Sequence, residues 1–259
     1  GGTVTLNSAQ ATSGGIMTVN GALALTNTAS GAYTPISLVA GTAKGATLIL
    51  GGDVTFTGNS TNINTTTINA AAGTVLGKID LNGGTRTFTI NDGAAAVDLT
   101  ILPSIQNGGL IKTGAGTLAL SGLNTYSGNT TVNAGALTLT DTGALTFYIG
   151  ANGVNNQVTG TGTATFNGTF NLDFTSAVAA DGSTWSLVSA LNSSYGTSFA
   201  VQGFTQNADV WTNGSGWSFS ELSGVLSYSA VPEPSTYAML GGAGALMAAI
   251  GLRRKKRTP

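Results

Sequence analysis

Through its first half the chain is one short period-two run after another, each cut off by glycine or asparagine. That rhythm limits the available folds more than any other feature. Alternation is plain at Val4/Leu6, Leu23/Leu25, Leu48/Leu50, Val54/Phe56, Ile79/Leu81, Phe88/Ile90, Val97/Leu99/Ile101, Leu118/Leu120 and Leu137/Leu139. Alternation at period two over a few residues predicts strands with one face inward. Gly-Gly, Asn-Gly and Asp-Gly pairs between the runs supply the positive φ of tight turns. No stretch before residue 235 combines a helical period with a cap.

Many short strands suit either a sandwich or a solenoid. Aromatics are scarce before residue 145, which favours a solenoid with a narrow core of Val, Ile, Leu and Ala and with Thr, Ser and Asn outside. The expected rung is about 20–25 residues. Inward Asn or Thr at the corners would stack from rung to rung and satisfy the backbone. The composition changes near residue 150. Trp185, Trp211 and Trp217 fall between 158 and 230, as do Phe166, Phe170, Phe174, Phe199, Phe204 and Phe219. Large aromatics suit a thicker core. The expected organisation is therefore all-β: a solenoid over 1–150, a smaller aromatic-rich β module or cap over 155–230, and a tail over 231–257. An open solenoid end exposes a strand ladder, so a cap is expected. Trp185 and Trp217 sit in alternating patterns and are expected inside. Trp211, beside Thr212, Asn213 and Gly214, is expected at the surface.

The composition also excludes chemistry. The chain has no Cys and no His, so thiolate nucleophiles, Cys-ligated zinc and the Ser-His-Asp arrangement are absent. Before Arg253 the basic residues are only Lys44, Lys78, Arg86 and Lys112, which form no stripe for a phosphate backbone; nucleic acid is not an expected partner. The acids of the body, Asp53, Asp80, Asp92, Asp98, Asp141, Asp173, Asp181, Asp209 and Glu221, are scattered. Several sit at probable turns, as Asp92-Gly93 and Asp181-Gly182 do, where turn formation is the ordinary role. A glycosidase needs two converging carboxylates, so a carbohydrate-active lyase or glycosidase is the secondary reading. No cofactor and no metal are expected. The chain opens at Gly1 with neither a basic n-region nor an apolar h-region, so an export signal peptide would lie outside these residues.

From Gly108 to Leu137 the chain reads GGLIKTGAGTLALSGLNTYSGNTTVNAGAL. This resembles the autotransporter-associated β-strand repeat, matching at Leu110, Lys112, Gly114, Gly116, Thr117, Leu118, Leu120, Gly122, Asn124, Thr125, Tyr126, Gly128, Val132, Gly135 and Leu137. A weaker echo runs from Lys44 to Leu50. The resemblance implies a right-handed parallel β-helix of the passenger type found on secreted bacterial surface proteins, and no enzymatic activity. Gly114 and Gly116 would make the bend before a strand whose Leu118 and Leu120 enter the core, and Tyr126 would lie over the next corner. Autotransporters end in a translocating barrel, and this chain ends differently.

Its tail joins Pro232-Glu233-Pro234, an apolar run over 237–252 and the basic cluster Arg253, Arg254, Lys255, Lys256 and Arg257. The two prolines lack N–H donors and hold the spacer extended. As a single helix the apolar run would span roughly 24 Å at 1.5 Å per residue, short for a comfortable crossing. The basic cluster would remain cytoplasmic by the positive-inside rule. Together the three parts resemble the PEP-CTERM sorting signal. That resemblance implies an exosortase-type membrane enzyme as partner, recognition at Pro232, Glu233 and Pro234, transient inner-membrane anchoring, and release to the cell surface or extracellular matrix. It also implies a biofilm-forming, exopolysaccharide-producing host, with extracellular polysaccharide as a candidate partner.

Overall fold

The computed structural model describes residues 4–6, 14–39, 44–70, 76–190 and 192–231. Every described regular element is a strand, and from Val4 to Asp173 every third strand returns to the same face. The first face carries Val4–Leu6, Ile36–Leu38, Thr66–Ala70, Leu99–Ile101, Thr117–Leu120, Ala136–Leu139, Thr163–Phe166 and Asn192–Tyr195. The second carries Ile16–Val19, Thr47–Leu50, Lys78–Asp80 and Ser104–Gln106, then Leu123–Asn124, Ala144–Tyr148, Thr169–Asp173 and Ala200–Val201. The third carries Leu23–Thr26, Val54–Thr57, Thr85–Asn91, Gly109–Thr113, Thr130–Val132 and Val158–Thr159. All pairings within these faces are parallel, as in a β-solenoid.

The alternation in the sequence becomes columns of like residues inside. On the first face Ile68, Ile101, Leu120, Leu139 and Phe166 stack in register, beside a second column of Leu99, Leu118, Leu137 and Ala164. All nine are buried. Each buried Leu or Ile contributes about 1.5–3 kcal/mol relative to exposure, so these columns are the main adhesive between rungs.

Rung length differs from the expected 20–25 residues. Leu99 lies on Leu118 and Leu118 on Leu137, an offset of 19, whereas Leu99 lies on Thr66, an offset of 33. The surplus in the early rungs includes the loops 58–65 and 92–98. The same corner later needs only 114–116 and 133–135. The long loops are closed by their own amides. Asn59 Oδ1 accepts the N–H groups of Thr61 and Asn62, and Asn62 Nδ2 donates to the carbonyls of Ala29 and Gly31 at 2.9 and 2.8 Å. The Lys44–Leu50 echo falls on a different face from the segment it resembles. Thr47–Leu50 lies on the second face, while Thr117–Leu120 lies on the first.

The first two faces run on to Tyr195 and Val201. An antiparallel sheet of Thr184–Ser186, Val225–Tyr228, Trp217–Ser220, Val210–Thr212 and Thr205–Asn207 covers that end. Between the two lies an aromatic cluster: Phe170 contacts Phe147, Phe166, Phe199 and Phe219, and Trp217 contacts Trp185, Phe174 and Tyr228. Trp185 is fully buried. Trp211, expected at the surface, is buried as well, because its indole N–H donates to Glu221 Oε1 at 2.7 Å and its ring packs edge-on against Phe199. A nearby carboxylate acceptor lets the ring go inside with its one donor satisfied. The predicted apolar helix over 237–252 lies outside the described residues. Among the described residues no helix is long and apolar enough to cross a membrane.

Candidate functional site

The repeat segment runs through one compact rung and into the next, and its polar residues sit where the backbone turns. Lys112 occupies an inward position of the third face, in register between Phe88 below and Val132 above. Its stem passes through the core, and its ammonium donates to the carbonyls of Thr113 and Gly114 at 2.8 Å and of Ala134 at 3.1 Å. Those carbonyls point inward because the strand must bend sharply there. Gly114 has φ +76°, and a Cβ on it would meet the carbonyl oxygen of Ile90 at 2.3 Å. A cation with three donors satisfies buried acceptors that an apolar side chain would leave unpaired. Burial pushes the Lys112 ammonium down to about 8, opposed by the Asp98 carboxylate.

Asp98, one of the scattered acids of the sequence, completes the corner. It is buried; Oδ1 accepts Gly93 N–H at 2.7 Å and Oδ2 accepts Thr117 N–H at 2.8 Å. A Cβ on Gly116 would lie 2.6 Å from Asp98 Oδ2, so the carboxylate explains that glycine. Leu118 and Leu120 follow, fully buried. Gly135 lies at the corner of the next rung, above the carbonyls of residues 114–116.

Asn124 fills the break between the two halves of the second face. Its Oδ1 accepts Ile105 N–H at 3.0 Å, and its Nδ2 donates to Gly122 O at 2.9 Å and Ala144 O at 3.0 Å. Tyr126, beyond it, is buried, with its hydroxyl 2.6 Å from Thr130 Oγ1. Burial pushes its phenol up to about 12, against the opposing hydrogen bond from Thr130. Gly128 N–H donates to Gly108 O at 2.7 Å and closes the loop.

The acids bind separate partners. Asp53 accepts Thr87 N–H, Asp80 accepts Asn82 N–H with the amides of Gln106 and Asn107, Asp141 accepts Thr142 N–H, and Asp173 accepts Thr175 N–H. Among the described residues no group of three or more His, Cys, Asp or Glu side chains comes together. An open groove of about 700 Å³ beside the strand Asn192–Tyr195 is lined by Ser, Thr, Asn and apolar side chains, with no carboxylate.

The body hands the chain on at a defined point. Ser229 N–H donates to Gly216 O at 2.8 Å, and Ala230 N–H donates to Asp181 Oδ1 at 2.9 Å. Pro232, Glu233, Pro234 and the basic residues Arg253, Arg254, Lys255, Lys256 and Arg257 follow, outside the described residues.

Two family models match the chain. The passenger-associated-transport-repeat matches residues 110–139, and the PEP-CTERM protein-sorting motif matches residues 230–255. No curated protein and no solved structure matches it. The chain is thus a protein that carries a passenger-associated-transport-repeat within a parallel β-solenoid and a PEP-CTERM sorting motif immediately after the last strand among the described residues.

Proposed function

We propose that this is a non-catalytic, exported surface protein whose solenoid serves as a stiff, low-charge spacer or adhesive body and whose C-terminus is its sorting tag. The observation that carries the reading is the order of parts. A parallel solenoid with a passenger repeat ends in an aromatic-packed antiparallel sheet, and the sorting motif begins at residue 230, directly after the strand Val225–Tyr228. On this reading the solenoid winds right-handed, 155–230 is its cap, and Lys112, Gly114, Gly116, Leu118, Leu120, Asn124, Tyr126, Gly128 and Gly135 are structural. The apolar run 237–252 enters the inner membrane as a helix, the basic cluster holds the inner side, and an exosortase-type enzyme acts at Pro232-Glu233-Pro234. Association with extracellular polysaccharide follows by analogy alone. A carbohydrate-active enzyme gains no support, because the carboxylates described above are spent on separate turns.

Intact-mass analysis by culture fraction tests this. A mass lacking everything after the Pro232–Pro234 region, in medium or surface material, is the expected result. A full-length mass confined to the inner membrane would overturn the sorting function.

A further inference from the structure

Six asparagines stand directly before glycine: Asn20, Asn82, Asn107, Asn152, Asn167 and Asn213. A glycine nitrogen carries no neighbouring side chain to shield it, so it can attack the amide carbon of the asparagine before it. In the sequence the six pairs are equal, and the fold makes them unequal. Asn213 Oδ1 accepts the N–H of Ser215 at 2.9 Å and of Trp217 at 3.3 Å. These donors lie two and four residues ahead, so the carboxamide folds forward over the Gly214 nitrogen. Both donors also point at the oxygen that gains negative charge when the amide carbon is attacked. The Gly214 N–H has no acceptor among the described residues, and a Cβ on Gly214 would meet nothing within 4 Å.

The other pairs lack this arrangement. Gly83 and Gly153 spend their N–H groups on the carbonyls of Asn107 and Thr184. Asn107 Nδ2 donates to Asp80 Oδ1 at 2.9 Å, and a carboxylate there opposes a second developing negative charge. Gly168 is wedged in a corner, where a Cβ would meet Gly143 O at 2.2 Å, so its peptide has no room to swing. Asn20 is exposed beside an open Gly21, with no hydrogen bond to its side-chain carbonyl among the described residues. The forward fold recurs at Asn27, Asn59 and Asn62, whose Oδ1 atoms accept the N–H of Ala29, Thr61 and Asn64. Thr28, Ser60 and Ile63 follow those asparagines, and their side chains crowd the nitrogen. Among the described residues Asn213 alone joins the forward fold to a following glycine.

We propose that Asn213-Gly214 is a self-modification site at which the antiparallel sheet converts a neutral amide into a carboxylate. The Gly214 nitrogen gives its proton to solvent and attacks Asn213 Cγ. The new C–N bond closes a cyclic imide, the Cγ–Nδ2 bond breaks, and the nitrogen leaves as ammonia. Water then opens one imide carbonyl or the other and leaves aspartate or isoaspartate at 213. One water enters, one ammonia departs, and nothing is oxidised or reduced. The sheet gains a negative charge. The isoaspartate product also inserts a methylene into the main chain, which breaks the bond from Asn213 N–H to Trp217 O at 3.3 Å. That bond closes the hairpin whose Trp217 ring packs on Phe174, Trp185 and Tyr228.

The test incubates the purified, detergent-solubilised full chain at mildly alkaline pH and follows all six asparagines by peptide mass mapping. Asn20 is the unassisted reference within the same molecule. The expected result is conversion of Asn213 about tenfold faster than Asn20, with Asn82, Asn107, Asn152 and Asn167 slower than Asn20. In concentrated urea the forward fold is gone, and Asn213 should fall to the rate of Asn20. Gly214→Ala places a methyl group beside the attacking nitrogen and should slow Asn213 about tenfold or more while Asn20 is unchanged. The urea measurement needs no variant, so it decides the matter even if Gly214→Ala disturbs the hairpin. Native conversion of Asn213 no faster than Asn20 overturns the proposal. So does a lead that survives in urea, because the sequence and not the fold would then be its source.

Discussion

The side chain of Asn124 substitutes for a backbone carbonyl opposite Ile105. Its Oδ1 accepts the Ile105 N–H at 3.0 Å in the gap where the second face changes from one sheet to the next, while Thr125 N–H donates to Ile105 O at 2.9 Å. The Asn124 amide also reaches Ala144 in the following rung, so one side chain links three rungs. Asn124→Ala would strand the Ile105 donor and remove the amide from the Ala144 and Gly122 carbonyls, the latter keeping the Ala144 N–H. At about 1–3 kcal/mol for a buried polar group left unpaired, we expect a loss of about 3 kcal/mol in urea-induced unfolding of the body. A loss under about 1 kcal/mol would mean that water replaces the amide.

Lys112→Met keeps the stem between Phe88 and Val132 and removes the ammonium. Three inward carbonyls then lack a donor, and we expect a loss of about 2 kcal/mol at pH 7. Equal stability of the two proteins would show that the lysine is dispensable to the corner.

The alkaline limb of the stability profile has two opposing parts. The folded Lys112 pKa, about 8, lies below its ordinary 10.5. Between those values the unfolded chain holds the proton more tightly, so stability rises with pH there. Tyr126 acts in the opposite sense. Its folded pKa, about 12, lies above the ordinary 10.0, so its contribution is complete below pH 10 and is lost as pH rises through 12. Chemical unfolding from pH 7 to 12 should show a rise and then a fall. Lys112→Met should lose the rise, and Tyr126→Phe should soften the fall.

Two tyrosines offer a paired comparison at neutral pH. Tyr126→Phe removes a 2.6 Å hydrogen bond to Thr130 and should cost about 1.5 kcal/mol. The Tyr195 hydroxyl is buried without a partner among the described residues, in contact with Phe166 and Phe199. Tyr195→Phe should therefore leave stability unchanged or raise it by about 1 kcal/mol. Thermal melts of the two variants shifting equally would contradict the assignment.

Gly114 and Gly214 separate conformational strain from steric closure. Their φ values are +76° and +72°, yet a Cβ on Gly114 meets Ile90 O at 2.3 Å and one on Gly214 meets nothing within 4 Å. Gly214→Ala should cost about 1 kcal/mol, the strain alone. Gly114→Ala should cost about 3 kcal/mol or more, since a neighbouring rung must move. Similar costs would show that the solenoid corner yields easily.

Local order settled much of this molecule. Alternation at Leu118/Leu120 and Leu137/Leu139 specifies strands with one inward face, because strand periodicity depends on the chain alone. The order of Pro232–Pro234, apolar run and basic cluster identified the sorting motif without reference to any fold. The register between rungs was out of reach. Leu99 meets Thr66 33 residues away but Leu118 only 19 away, because loops such as 58–65 and 92–98 can lengthen without disturbing the strand columns. For the same reason the Lys44–Leu50 echo fell on a different face from the strand it resembles. Asp98 at the Lys112 corner, Glu221 beneath Trp211 and Asp181 at the chain exit became legible only when distant turns were brought together. A carboxylate's role is decided by which N–H groups lie within about 3 Å of it, and only the tertiary structure sets that.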